Sequence, residues 1–227
     1  MSRETTCAVG VMARAPSAAG KTRLAPHLST ARLATLRAAL LADTLQVVAG
    51  LIGIDVVVFV TPEVASDEVA ALMPRPFPCT VQSEGDLGER MRAAIADLIG
   101  RRGYAAAVLV GADIPFLSAA RLTEARDALL AGASLVLGPA DDGGYYLVGM
   151  TEVHGGLFDR MEWGSASVLV DTLRAAERLG IEARLVGRTY DVDTIEDLRR
   201  LERDLAIAPL DIAPNVRRWF RGWSNDG

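Results

Sequence analysis

Cysteine, histidine and aromatic residues are all scarce in this chain of 227 residues, which has two Cys, two His and an aromatic content of 5%. Cys7 and Cys79 cannot build a disulfide framework, and their spacing matches no zinc motif. Each lies in or beside an apolar, strand-like segment, where a thiol behaves as a small hydrophobe. With only His27 and His154, neither a histidine-centred triad nor a His-rich metal site has the residues it needs. No apolar run is long enough for a membrane-spanning helix. Met1 to Thr6 also lacks the basic and then apolar stretch of a secretory signal, so the expected setting is cytoplasmic with no membrane span. A basic excess is missing too. Lys and Arg number 24 against 29 Asp and Glu, a net charge of -5, which lacks the footprint of a nucleic-acid binder.

What the chain does have is an ordinary globular balance, 50% hydrophobic and 23% charged, and a regular alternation of short β-branched runs with amphipathic ones. Thr6 to Ala13 predicts a buried first strand. Leu33, Leu36, Leu40, Val47 and Leu51 recur at helical spacing behind a Ser29 or Thr30 cap. DVVVFVT (Asp55 to Thr61) has the continuous pattern of a parallel strand covered on both faces. Further strands are expected near Cys79 to Gln82, Ala105 to Val110, Ser134 to Leu137, Tyr145 to Met150 and Ala183 to Val186. Helices are expected near Val64 to Met73, Leu87 to Ile99, Ser118 to Leu130, Ser165 to Leu179 and Ile195 to Leu205. Such alternation implies an α/β fold, a mostly parallel sheet with helices on both faces. Residues 1–206 read as one domain and 207–227 as a tail. In the tail Arg217, Arg218 and Arg221 interleave with Trp219, Phe220 and Trp223; it could dock on its own domain, stay disordered, or meet an anionic acceptor, a membrane surface or a second subunit in a homodimer.

In open parallel sheets ligands bind beyond the carboxyl ends of the strands, and four loops there are rich in chemistry. The first, MARAPSAAGKTRLAP from Met12 to Pro26, offers small residues whose amides can approach phosphate, with Lys21 and Arg23 to neutralise it. Ala15 to Thr22 nearly fits a P-loop, but Pro26 would break the helix that a P-loop enters, so an extended phosphate-binding loop is favoured. In Gly111-Ala112-Asp113-Ile114-Pro115, Asp113 sits where a carboxylate can hold a cation bridging two phosphates; a turn or capping role would account for the same residue. Asp141 and Asp142, followed by Gly143, Gly144 and Tyr145, suit sugar hydroxyls or a cation, and equally a tight Asp-Gly hairpin. In Tyr190-Asp191-Val192-Asp193-Thr194, alternation puts Asp191 and Asp193 on one side, so that one could complete a metal shell, while helix capping explains them as well. Gly85-Asp86-Leu87-Gly88-Glu89-Arg90 offers a turn at a helix N-terminus suited to a base or phosphate, and Trp163-Gly164-Ser165 could pack on an acceptor.

Taken in order, MARAPSAAGKTRLAP, GDLGERM, GADIPFL, GPADDGGYYLVG, WGSASVL and DVDTIEDL span residues 9 to 198. In combination they resemble bacterial glycosyltransferase-like proteins formerly of unknown function, within the nucleotide-diphospho-sugar transferase (GT-A) superfamily. The resemblance implies a three-layer α/β/α Rossmann-like GT-A fold with a mostly parallel central sheet. It also implies that Met12, Ala13, Arg14, Gly20, Lys21 and Arg23, with Gly85, Asp86 and Leu87, bind the nucleotide. Asp113 is the implied metal-binding aspartate, joined by Asp193, or else Asp191, around Mg²⁺ or Mn²⁺. Asp113, Lys21 and Arg23 are then the catalytic set, stabilising charge as a phosphate ester departs. Asp141, Asp142, Gly143, Gly144, Tyr145, Trp163 and Ser165 would face the acceptor. Gly164 stands where a serine is expected in a WST-like motif. The implied partners are a nucleotide or nucleotide-sugar donor and a small-molecule acceptor. Glycosyl transfer is the expected reaction, with nucleotidyl transfer the alternative towards which the Lys/Arg loop leans. A P-loop kinase or a non-catalytic nucleotide binder stands further off.

Overall fold

A computed structural model describes residues 6–223; residues 1–5 and 224–227, including the last four of the expected tail, lie outside the described residues. Seven strands, β1 (Cys7–Arg14), β2 (Asp55–Thr61), β3 (Cys79–Val81), β4 (Ala106–Val110), β5 (Leu135–Pro139), β6 (Tyr145–Met150) and β7 (Ala183–Leu185), form one sheet in the order β3-β2-β1-β4-β6-β5-β7. All neighbours run parallel except β6, which is antiparallel to both β4 and β5. That reversal comes from the Asp-Gly turn. Gly143 N donates to the Ala140 carbonyl at 3.3 Å and Ala140 N to the Gly144 carbonyl at 3.0 Å, and the chain folds straight back along β5.

The helices are α1 (Thr30–Ala49), α2 (Ser66–Ala70), α3 (Leu87–Ala96), α4 (Ala119–Leu130), α5 (Val168–Arg178), α6 (Ile195–Ile207) and α7 (Pro214–Trp223). Alternating strand residues sort the core into two layers, because successive side chains point to opposite faces. Val9, Val11, Val56, Val58, Val108 and Val110 pack with Leu41, Leu45 and Val48 of α1 and Leu122, Ala125 and Leu129 of α4. Ala8, Val57, Phe59, Ala107, Leu109 and Val148 pack with Met91 and Ile95 of α3 and with Leu169, Ala175 and Ala176 of α5. Gly10 belongs where the second layer is tightest. A Cβ there would fall 2.5 Å from Leu109 Cδ2 and 2.9 Å from Phe59 Cε2, closer than side chains pack.

Helix starts follow their caps. Ser29 Oγ accepts Arg32 N at the head of α1, while Asp86 with Glu89, and Thr194 with Asp197, form reciprocal capping boxes on α3 and α6. No helix follows Lys21 directly, since residues 22 to 27 form turns and α1 begins only at Thr30. The two strongest strand patterns, Asp55 to Thr61 and Tyr145 to Met150, are found with their predicted bounds. The stretch read as a tail after Ala206 differs more. α6 continues to Ile207, and Pro214–Trp223 forms a helix on the outer side of α1. Val216, Trp219 and Phe220 are buried there with Leu33, Leu36 and Leu40 of α1 and with Leu198, Leu201 and Leu205 of α6. A side chain from α1 supplies its cap: Asp43 Oδ1 accepts Asn215 N at 3.0 Å and Asn215 Nδ2 at 2.8 Å, and Oδ2 accepts Val216 N at 3.0 Å. Those first-turn amides have no partner inside their own helix, so Asp43 answers a demand that local sequence does not reveal.

Candidate functional site

The carboxyl ends of β1 and β4, the amino end of the antiparallel β6 and the segment after β7 open onto a cleft of about 550 Å³. Asp113 lies three residues past the end of β4, in the loop before Pro115. Asp191 and Asp193 follow β7, where Asp197 of α6 accepts both Asp193 N (3.1 Å) and Thr194 N (2.8 Å) and so fixes the segment. One oxygen from each of Asp113, Asp191 and Asp193 lies within 4.8 Å of the other two. Two carboxylate charges at that spacing repel by about 3 kcal/mol at an effective dielectric of about 20, before solvent screening reduces it. The protein's own offset is Lys21. Its Nζ lies 3.0 Å from Asp113 Oδ2 and 3.1 Å from Asp193 Oδ1, and donates to the Val192 carbonyl at 2.5 Å.

Electrostatics within the cluster are coupled. Burial pushes the Lys21 ammonium down, but Asp113 and Asp193 overcome it and hold the group above its ordinary range. Asp191 is pushed up to about 7, by burial first and then by the charges of Asp113, Asp142 and Asp193. Lys21 itself stands in the left-handed region at φ 51, a conformation costly for a side chain with a Cβ. The surrounding loop holds it there. Ser17 Oγ and N bond to Glu68 of α2 at 2.5 and 3.0 Å, Ala15 N donates to the Thr61 carbonyl at 2.8 Å, and Leu24 is fully buried.

Three arginines form the opposite bank. Arg14 at the end of β1, Arg37 on α1 and Arg90 on α3 all line the cleft. Each bonds to neutral oxygens: Arg14 to the Ala19 carbonyl at 2.9 Å, Arg37 to the Gly20 carbonyl at 3.3 Å, and Arg90 to Gln82 Oε1 at 3.4 Å and the Asp86 carbonyl at 3.2 Å. Burial and the nearby Arg14 charge both push Arg37 and Arg90 below the usual guanidinium range. Arg37 Nε is enclosed with no partner. Glu68 and Asp86 offset Arg37 and Arg90 in part, but among the described residues no carboxylate forms an ion pair with any of the three, an arrangement suited to an anion.

Of the residues expected from sequence, Met12, Arg14, Gly20, Lys21, Leu87, Asp113, Asp142, Gly144, Tyr145, Trp163, Ser165, Asp191 and Asp193 line this one cleft. Ala13 is buried beneath it, and Gln82 Nε2 donates to its carbonyl at 3.1 Å. Arg23 is exposed and outside the lining. Gly85 and Asp86 shape the cap of α3, and Asp141 is turned to Arg200 (2.8 Å) and Arg188 (3.8 Å) rather than to the cleft. Gly143 serves packing. Its φ is +92, its carbonyl accepts Leu169 N at 2.9 Å, and a Cβ there would lie 2.1 Å from the Ala166 carbonyl oxygen. Sequence reading missed Arg37, although a signal existed: it interrupts the apolar stripe of Leu33, Leu36, Leu40 and Leu41 on the core-facing side of α1.

Sheet order, strand-end cleft and acidic cluster define a transferase of the nucleotide-diphospho-sugar transferase fold class. Residues 44–165 match the model of a family described as an uncharacterized protein conserved in bacteria (DUF2064), and the chain belongs to that family. The matched stretch includes Asp113 and the Asp141 to Tyr145 turn. A phosphoenolpyruvate guanylyltransferase of Rhodococcus erythropolis (strain PR4 / NBRC 100887) is 33% identical over 129 residues, which is 52% of this chain and 57% of that protein. The chain thus matches little more than half the length of this curated relative. A crystal structure from Desulfovibrio desulfuricans G20, provisionally described as a nucleotide-diphospho-sugar transferase, superposes with a TM-score of 0.87 at 27% identity, covering 99% of this chain and 96% of the other. A Mycobacterium tuberculosis H37Rv protein in complex with manganese shares the fold, with a TM-score of 0.51 at 21% identity over 86% of this chain and 97% of that one. No described helix is long and apolar enough to cross a membrane.

Proposed function

We propose that the protein is a metal-dependent nucleotidyltransferase that takes a nucleoside triphosphate, transfers its nucleotidyl group to a small acceptor and releases pyrophosphate. The observation that carries this reading is the trio Arg14, Arg37 and Arg90, three guanidiniums lining the cleft with no ion pair to a carboxylate among the described residues. A nucleotide-diphospho-sugar brings about two negative charges, which one divalent cation already balances. A triphosphate brings about four, and the surplus matches a bank of arginines.

The three carboxylates suit a hard divalent ion such as Mg²⁺ or Mn²⁺, which takes oxygen ligands. Bound there, such an ion would supply charge neutralisation at the reacting phosphate. The chain's own part is positioning. Asp113 and Asp193 converge from strand ends far apart in sequence, and Lys21 keeps them converged. The arginine bank orients the departing phosphates and stabilises their growing charge without reorganising. The guanylyltransferase relative is consistent with a triphosphate donor. A cytoplasmic setting, where nucleotides are abundant, fits the same reading.

Glycosyl transfer from a nucleotide-diphospho-sugar stands as the second reading, favoured by the near full-length superposition on the Desulfovibrio structure. Incubation of the protein with Mn²⁺, each nucleoside triphosphate and a panel of acceptors separates the two. Pyrophosphate release that depends on acceptor supports nucleotidyl transfer. Nucleoside diphosphate release from nucleotide sugars, with triphosphates inert, overturns it.

A further inference from the structure

The cleft is divided by charge. Its arginines stand on a bank made by β1, α1 and α3, whereas a second bank is made by the turn after β5, the start of β6 and the segment leading into α5, which packs against α3. That second bank contributes Asp142, Tyr145, Trp163, Ser165 and Val168 to the lining and no lysine, arginine or histidine. Beneath it the floor is apolar, made by Met12, Met91, Leu109 and Val148, which also belong to or pack against the core layer under α3 and α5.

Trp163 is held as a platform. Its ring lies against α3 so closely that a Cβ on Gly88 would fall 2.6 Å from Cζ2, and Phe158 flanks it with ring centroids 6.3 Å apart. Its Nε1 is enclosed, and among the described residues no group accepts from it. Asp142 uses Oδ1 to accept Gly144 N at 2.9 Å, which leaves Oδ2 for an incoming donor.

We propose that this bank seats the acceptor, and that the acceptor is an uncharged hydroxyl compound with an apolar face, of the sugar or polyol class. A phosphate or carboxylate there would meet Asp142 with no lysine, arginine or histidine on that bank to pair with it, and would lose hydration that those side chains do not replace. A hydroxyl can donate to Asp142 Oδ2 or exchange bonds with Ser165, while the C–H face of a ring lies on aromatic and methionine surface. On the donor reading above, on which this step rests, the acceptor hydroxyl oxygen bonds to the α-phosphorus. The bond from that phosphorus to the α,β-bridging oxygen breaks, pyrophosphate leaves with the electron pair, and the hydroxyl proton passes to solvent.

The test is calorimetric titration of the whole protein with Mn²⁺ and an α,β-methylene nucleoside triphosphate. Methyl hexosides and polyols are then added in parallel with their phosphate esters. At least one neutral compound is expected to bind about tenfold or more tightly than its ester. Trp163→Ala should weaken that compound about tenfold and leave the nucleotide analogue within about twofold, whereas Trp163→Phe, which keeps a ring platform, should restore most of the affinity. Tighter binding of the esters, neutral affinity indifferent to Trp163→Ala, or no neutral compound binding at millimolar concentration would each overturn the proposal. The donor reading fails separately: wild-type protein that ignores the analogue yet prefers neutral compounds in Mn²⁺ alone sinks that reading and keeps this one.

Discussion

Lys21 and Asp113 are 92 residues apart in the chain, yet Nζ lies 3.0 Å from Oδ2, and the same ammonium is 3.1 Å from Asp193. A single lysine thus offsets, in part, two strand-end carboxylates that a divalent cation would also use. Its side chain is only 8% exposed, so this charge is less screened than a surface ion pair.

On the proposed reading Lys21 would compete with a cation for the same oxygens while serving the donor phosphates. Lys21→Met is expected to tighten Mn²⁺ binding in the absence of nucleotide several-fold, by removing a like charge from the cluster. The same change should lower transfer about 10²- to 10³-fold, the usual effect of losing one group aimed at developing charge. Mn²⁺ titration followed by paramagnetic resonance, together with pyrophosphate release, reads both effects. Weaker metal binding in the variant would show that the lysine organises the carboxylates more than it competes for them.

Arg37 should matter to ligand more than to fold. Its Nε has no partner and its Nη1 makes one 3.3 Å bond to the Gly20 carbonyl, so Arg37→Ala removes little from the native state. A charge-assisted bond to phosphate contributes about 1.5–3 kcal/mol, which predicts roughly 10- to 100-fold weaker triphosphate binding. Monophosphate binding should change far less. Calorimetry with the nucleoside mono-, di- and triphosphate series, set beside melting temperatures, decides the matter; equal losses across the series would place Arg37 away from the terminal phosphates.

How far the sequence reveals this site depends on how local each signal is. Strands such as Asp55–Thr61 could be read to the residue because β-branched runs bounded by polar residues carry their own pattern. Asp113, Asp191 and Asp193 were legible because the ends of parallel strands are where open sheets bind ligands. Arg37 left only the weak signal of a charge inside an apolar stripe, and Asp43 left none, because its role comes from a segment 172 residues away. Docking of the C-terminal stretch on its own domain was among the alternatives, but its helix and its seat on α1 were not legible. Asp141 misled in the other direction: adjacent to Asp142 and chemically identical, it is turned away by Arg200, a partner 59 residues distant.

Asp43 ties α7 to α1, and its removal should loosen the C-terminal helix. Asp43→Ala leaves the amides of Asn215 and Val216 without an acceptor, a capping loss of about 1–2 kcal/mol. That corresponds to a drop in Tm of roughly 2–8 °C for a chain of this size. The pH dependence has a definite sign. Burial raises the Asp43 carboxyl above the ordinary Asp range, against the pull of Asn215 and Val216, so the native state binds its proton more tightly than the unfolded chain does. This contribution is fully present below about pH 4, the unfolded value, and is lost as pH rises through the folded one. The Tm advantage of wild type over Asp43→Asn should accordingly narrow as pH rises. A gap that widens would mean the amides of α7 outweigh burial and hold the carboxylate ionised.

Gly143 offers a test that separates backbone strain from close packing. Both Gly143 (φ +92) and Gly53 (φ +69) lie in the left-handed region, but a Cβ on Gly53 meets nothing within 4 Å, whereas one on Gly143 would lie 2.1 Å from the Ala166 carbonyl oxygen. Gly53→Ala should therefore show the conformational cost alone, about 1 kcal/mol. Gly143→Ala should add an overpacking cost of about 1–3 kcal/mol, because the obstacle is backbone and cannot swing aside as a flexible side chain would. The added strain falls on the bond from Leu169 N to the Gly143 carbonyl, which ties the turn after β5 to the start of α5. Denaturant melts should rank the variants wild type, Gly53→Ala, Gly143→Ala in falling stability, and only Gly143→Ala should also weaken acceptor binding. Equal stability of the two alanine variants would mean that the segment bearing Trp163 and Ser165 yields easily and is not held by this contact.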